Sequence, residues 1–239
     1  THRIDLARQA EVPAPDVLGV EHREHDGELL SFSILSIVRG RPLAELADDL
    51  TDETLNGLVE QCGELLAKLQ SVAPEREVRH TIEPPDKRAL EQAMTIARTS
   101  PSPNEARRII EAGAEMVRDH VATSPPQRTT LAHGDWLPKH FMLDENLAIT
   151  GVIDWEFAGA ASPAFDIARW EVSAGARFDD KTERLLRGYA RFGNLDDTDP
   201  EWIPAIATAW ALEILGWQNP ATPARILRCL DIISRHTDA

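Results

Sequence analysis

Residues 131–156 read LAHGDWLPKHFMLDENLAITGVIDWE, and the rest of the chain is best read outward from this stretch. Two apolar runs, His140 to Leu143 and Leu147 to Ile153, flank the polar turn Asp144-Glu145-Asn146, a pattern that predicts a β-hairpin. A hairpin brings its outer ends together. Asp135 lies just before the first strand and Asp154 just after the second, so two carboxylates distant in sequence converge on one point. Like charges so placed repel unless a cation lies between them. A divalent ion on a polyphosphate is such a cation, because Mg2+ is bound by one or two carboxylates plus phosphate oxygens.

Upstream, Val17 to Val38 is β-rich with a polar break at His25-Asp26-Gly27, which predicts another hairpin. The segment RGRPL at 39–43 ends it, and from Asp52 the period becomes helical. Leu55, Leu58, Val59, Cys62, Leu65, Leu66, Leu69 and Val72 form one apolar face. After Pro84-Pro85 comes a polar helical stretch, and a further helix starts near Pro103 and stops near Ser124-Pro125-Pro126. Beyond the opening stretch, helices are expected near 163–175, 180–192, 200–217 and 223–236, the last capped by Thr222. The organisation is a small β-containing front part, residues 1–40, followed by a large helical part, residues 41–239.

Composition excludes several classes. A hydrophobic content of 42% and a charged content of 27% are those of a globular protein. The formal net charge of −15 argues against a nucleic-acid surface, which needs Lys and Arg placed against phosphates. No apolar run is long enough to span a membrane and no leader pattern opens the chain, so the expectation is a cytoplasmic protein with no membrane partner. Cys62 and Cys229 sit singly within helical patterns, as buried apolar residues do.

The order H-G-D-W-L-P-K-H, hairpin, D-W-E parallels the kinase catalytic loop H-R-D-x-x-x-x-N followed by the metal-binding Asp of D-F-G. The segments HGDWLPKH and VIDWEFAGAASPAFDIARW together resemble the aminoglycoside phosphotransferase family, the small-molecule branch of the protein-kinase-like fold that includes choline kinases. The likeness is strongest from Leu131 to Trp170 and extends more loosely to PAPDVLGV, SIVRGRPL and CGELLAKLQ. It implies an α+β, protein-kinase-like fold: a small N-terminal lobe, incomplete here, and a large, mainly helical C-terminal lobe. It also implies that Asp135 orients and deprotonates a substrate hydroxyl, and that Asp154 holds the metal bridging the phosphates of ATP (or GTP). His133 would support the loop, and Asp166 would hydrogen-bond back to it. The adenine would lie against the main chain of Ser36, Ile37 and Val38. Glu156 either reaches the metal shell or is a surface acid.

Two departures from the family pattern stand out. His140 replaces the Asn of the template, as in some macrolide phosphotransferases; as a ligand it suits Mn2+ or Zn2+ better than Mg2+, and the alternative is a hairpin histidine that touches no metal. The glycine-rich loop and strand lysine of such a front lobe belong before PAPDVLGV, yet THRIDLARQAEV contains neither residue, so a segment upstream is expected. The leading function is an ATP-dependent phosphotransferase acting on a hydroxyl of a small molecule, an aminoglycoside-like or other antibiotic. The alternatives are a noncatalytic kinase-like module that binds a ligand or partner, and a metal-dependent phosphohydrolase. Trp202, Trp210 and Trp217 either pack the core or floor a pocket for a bulky ligand.

Overall fold

The computed structural model describes residues 2–25, 28–73, 87–124, 128–216 and 222–237. The expected Pro84-Pro85 and Pro125-Pro126 breaks, the Asp26-Gly27 turn and Trp217 lie outside those residues. The chain opens with α1 (His2–Gln9), whose Ile4 and Ala7 are buried. In the segment after it the Pro13 carbonyl accepts the Val152 N–H at 2.7 Å, which ties the start of the chain to the later hairpin. An antiparallel pair follows, β1 (Val17–His25) with β2 (Glu28–Leu35), as the alternation predicts.

Short strand β3 (Arg41–Pro42) and helix α2 (Leu43–Leu46) lead to α3 (Asp52–Gln70), which starts where Thr51 accepts the Thr54 N–H. Its predicted apolar face is the buried one, with Leu55, Val59, Cys62, Leu66 and Leu69 fully enclosed. Helices α4 (Lys87–Ala97) and α5 (Pro103–Thr123) precede strand β4 (Thr130–Ala132). The hairpin is β5 (Phe141–Leu143) with β6 (Ile149–Val152), and β3 adds to its outer edge in the order β3-β5-β6. Strand β7 (Gly159–Ala161), which alternation does not signal, pairs antiparallel with β4. The rest is helical: α6 (Ala164–Ser173), α7 (Thr182–Tyr189), α8 (Ile203–Gly216) and α9 (Pro223–Thr237). Thr222 caps α9 by accepting the Arg225 N–H.

The hairpin is shorter than its apolar pattern suggests. His140 belongs to a 3-10 turn, Pro138–His140, begun by the proline. At the far end Asp144 Oδ1 accepts the N–H groups of both Asn146 and Ala148 at 2.9 Å, which extends the turn through Leu147, at φ 62°. Ile153 N–H still reaches the His140 carbonyl at 3.0 Å, so the two outer ends remain paired beyond the strands. Helix α8 starts later than expected because two 3-10 turns, Leu195–Thr198 and Pro200–Trp202, take up the preceding residues. Among the described residues no helix is long and apolar enough to cross a membrane.

Two apolar clusters hold these elements. One joins α1, α3, the hairpin and α6 around Leu55, Leu66, Trp136, Phe141 and Trp170. The other joins α4, α5, α8 and α9 around Ile110, Leu212, Ile232 and Ile233. Helix α6 contributes to both, Ile167 and Trp170 to the first and Phe165 and Ala168 to the second, and so it anchors whatever it carries toward β4. Helices α3 and α7 cross at backbone contact: a Cβ at Gly188 would lie 1.8 Å from the Glu60 carbonyl oxygen. Gly188→Ala must therefore push the helices apart and open the first cluster. We expect a loss of about 2 kcal/mol or more, read as a lowered urea midpoint at unchanged slope.

Candidate active site

The site is built on the loop from β4 to β5. Asp166, in the first turn of α6 and fully buried, accepts the N–H of His133 on one oxygen and the N–H of Gly134 on the other, both at 2.9 Å. Consecutive N–H groups can converge in this way because Gly134 has φ +86°. No other residue fits there, since a Cβ would lie 2.3 Å from the Phe157 carbonyl oxygen. Burial pushes the Asp166 carboxyl up to about 6, against the two N–H bonds that favour its charge.

The His133 ring is fixed in one tautomer. Its Nε2 faces the Ile153 carbonyl at 3.0 Å, so it carries the proton, and its Nδ1 accepts the Asp135 N–H at 3.2 Å. Trp155 and Trp136 pack edge-on against the ring, with centroids 4.6 and 5.6 Å away. Burial, and then the neighbouring His140, push this imidazole down to about 3, so it is neutral. Asp166 thus bonds the loop at His133 and Gly134, and His133 bonds Asp135 to the end of the hairpin.

Asp135 and Asp154 do come to opposite ends of one small cluster, but His140 stands between them. Its Nε2 lies 2.9 Å from Asp135 Oδ2, and its Nδ1 lies 3.6 Å from Asp154 Oδ2. A carboxylate only accepts, so Nε2 carries a proton and donates to Asp135, while Nδ1 faces Asp154 from beyond hydrogen-bond distance. Asp154 adopts a left-handed backbone, φ 69° and ψ 60°, which Asp tolerates better than most residues and which turns the chain at the end of the hairpin. Its side chain is 39% exposed. One donor atom from each of Asp135, His140 and Asp154 lies within 4.8 Å of the others, and an imidazole nitrogen with carboxylate oxygens is a donor set that suits a divalent cation.

Two cations that sequence reasoning missed complete the surroundings of Asp135. Arg169, on α6, sends Nε and Nη2 to Asp135 Oδ1, both at 2.9 Å. Lys139 Nζ lies 2.9 Å from Oδ2. Burial would raise the Asp135 carboxyl, but hydrogen bonds from His140 and Lys139 and the charge of Arg169 outweigh it and hold the group well below the usual carboxylate range. Arg169 itself lies over the Trp210 ring, 4.1 Å from the centroid, whereas Trp202 is buried against His120. Of the expected tryptophan row, Trp210 therefore supports the site and Trp202 packs the core. A signal for Arg169 existed in DIARW, one turn after Asp166 on the same helix; Lys139 sits inside the motif itself.

The remaining expected residues are more peripheral. Ser36 accepts the Asp16 N–H through its hydroxyl at 2.8 Å, and its own N–H reaches the Asp16 carbonyl at 2.9 Å. Ile37 is 90% exposed, and Val38 packs over the backbone of Gly151 on β6, so the connection out of β2 rests on the hairpin. Glu156 is exposed on the turn Trp155–Phe157 and is not in the three-residue group.

A model of the phosphotransferase enzyme family matches residues 2–217. Among solved structures, the chain is similar to a choline/ethanolamine kinase family protein from Mesorhizobium loti, with TM-score 0.60 and 20% identity over 99% of this chain and 81% of that one. It is similar to aminoglycoside phosphotransferase APH(3'')-Id from Streptomyces rimosus, with TM-score 0.56 and 18% identity over 90% of this chain and 79% of that one. Choline kinase LicA from Streptococcus pneumoniae gives TM-score 0.56 and 14% identity over 98% and 79% of the two chains. At these identities the likeness is one of fold. The uncharacterized protein YcbJ of Bacillus subtilis is 37% identical over 68 residues, 28% of this chain, a match that spans only 21% of that protein's length.

The two supporting residues give stability opposite dependences on pH. His133 is protonated in the unfolded chain below about 6.5 but in the folded one only below about 3, so its contribution is lost as pH falls through that window. Asp166, raised to about 6 from 3.8, contributes the reverse between those values. A glutamine can replace both hydrogen bonds of His133 without titrating. We expect His133→Gln to raise the stability at pH 4.5, relative to that at pH 7, by about 2–3 kcal/mol compared with wild type, measured by urea unfolding. An unchanged acid dependence would show that His133 already titrates normally in the fold.

Proposed function

Because the chain belongs to the phosphotransferase enzyme family, we propose that it transfers the terminal phosphoryl group of ATP (or GTP) to a hydroxyl of a small molecule. The observation that carries this reading is the His140 imidazole set between Asp135 and Asp154, with the loop beneath them pinned by Asp166. Asp154 and His140 would hold the divalent cation, Mg2+ or Mn2+, which when bound neutralises charge on the nucleotide phosphates.

In the transfer, the acceptor oxygen bonds to the γ-phosphorus, the bond from that phosphorus to the leaving diphosphate oxygen breaks, and the acceptor proton passes to Asp135. Asp135 is a weak base, since its neighbours stabilise its charged form. Its main task is to hold the hydroxyl in line, and it takes the proton late. That suits phosphoryl transfer, whose loose transition state asks for positioning more than for early proton removal. The main chain at Ser36, Ile37 and Val38, seated on the hairpin through Val38, would receive the adenine.

The acceptor class we favour is a hydroxylated antibiotic, with aminoglycoside-like compounds first. A net charge of −15 would raise the local concentration of a polycationic acceptor. The test is ADP release across a panel of hydroxylated antibiotics and amino alcohols. Asp135→Asn should lower kcat by about 100-fold or more with little change in nucleotide KM. Asp154→Asn should abolish both turnover and the thermal shift given by Mg2+ with ATP. A noncatalytic module would instead show no turnover in wild type and no effect of Asp135→Asn. His140→Asn should keep activity and move the metal preference from Mn2+ toward Mg2+. Unchanged metal dependence in His140→Ala would remove His140 from the metal site.

A further inference from the structure

The cluster contains a conflict. Two carboxylates and an imidazole lie close enough to enclose a cation with all three. If Asp135 turned to that cation, its oxygens would no longer be free to orient a hydroxyl. A three-ligand protein site would also hold the ion more tightly than a site that shares it with nucleotide phosphates. In the structure both oxygens of Asp135 are instead occupied by side-chain donors. Its Oδ1 accepts the Nε–H of Arg169 and is also 2.9 Å from Nη2, so the guanidinium converges on that one oxygen, and its Oδ2 is met by His140 and Lys139.

The two cations are not equivalent. The Lys139 side chain is 55% exposed and reaches Asp135 as a flexible point charge, whereas that of Arg169 is 14% exposed. The guanidinium of Arg169 is clamped between the carboxylate and the Trp210 ring. Its Nη1 is buried with no hydrogen-bond partner among the described residues. A buried guanidinium with an unmatched donor is costly to keep, so its orientation depends on Asp135 and Trp210.

We infer that Arg169 is a positioning residue that keeps Asp135 out of the coordination of the divalent cation, so that His140 and Asp154 hold the ion and Asp135 stays free for the acceptor. Trp210 is the rigid backing of this clamp. The inference rests on the placing of the cation at His140 and Asp154. It does not require that the chain transfers phosphate.

The test is Mn2+ binding, followed by electron paramagnetic resonance in the absence of nucleotide. Arg169→Met removes the two N–H bonds while keeping bulk over Trp210, and should tighten Mn2+ binding about tenfold by admitting Asp135 as a ligand. Arg169→Lys should stay within about twofold of wild type. The gain should vanish in Arg169→Met combined with Asp135→Asn. If circular dichroism shows Arg169→Met unfolded, Arg169→Gln takes its place with the same expected direction. Mn2+ binding that is unchanged or weaker in the Met variant overturns the inference. So does a gain that survives the loss of Asp135, or a lack of Mn2+ binding throughout. ADP formation measured on the same samples separates the two proposals: the Mn2+ pattern without turnover in wild type would sink the phosphotransferase reading and leave this one standing.

Discussion

The arrangement depends first on one buried carboxylate, that of Asp166, and on the two backbone N–H groups it accepts. A charge enclosed in protein is tolerated only when its lone pairs are occupied, and here both oxygens are taken by consecutive residues of a single loop. That pins His133 and Gly134 to α6. His133 carries the constraint onward, since one ring nitrogen takes the Asp135 N–H and the other reaches the end of the hairpin at Ile153. Loop, hairpin and helix are therefore fixed to one another by a chain of directional bonds, each of which leaves the next with one workable geometry. Helix α6 lends that chain its rigidity because it packs into both apolar clusters.

Asp135 and Asp154 share a residue type and a site, and their surroundings separate their roles. Asp135 is almost wholly enclosed, with each oxygen matched to a donor. Asp154 is more open to solvent and faces the Nδ1 atom of His140. The enclosed carboxylate is suited to orientation, and the open one to an ion that arrives with its own phosphate ligands. Arg169 links this division to the rear helices through Trp210 on α8. Any shift of Trp210 on α8 would thus act on the same side chain that holds Asp135.

Much of this was legible in the sequence because the residues concerned are close along the chain or follow a simple period. The helical face from Leu55 to Leu69 is the buried one, and the turn at Asp144 joins the two strands that the apolar runs suggest. The Thr222 cap and the burial of both cysteines are likewise local matters. Strand β7 was not legible: GAA carries no alternation, and its pairing with β4 is a tertiary event. The division of the ligand cluster was hidden for the same reason. Spacing along the hairpin brings Asp135 and Asp154 near one another, but it says nothing of a guanidinium that reaches back from the following helix, or of which way an imidazole turns.

That imidazole also explains how His140 can stand where the kinase template has an asparagine. The position asks for a donor toward the base and a lone pair toward the open carboxylate. Asparagine meets both needs, with its NH2 and its carbonyl oxygen; neutral histidine meets them with Nε2–H and Nδ1. In a neutral imidazole the hydrogen bond to Asp135 leaves the Nδ1 lone pair on the side of Asp154, the same coupling by which carboxylates commonly set the orientation of metal-binding histidines. What changes between the two residues is hardness, not geometry. An amide oxygen favours the harder ion and an imidazole nitrogen the softer one, so the exchange can alter which cation is preferred while leaving the position of the base intact.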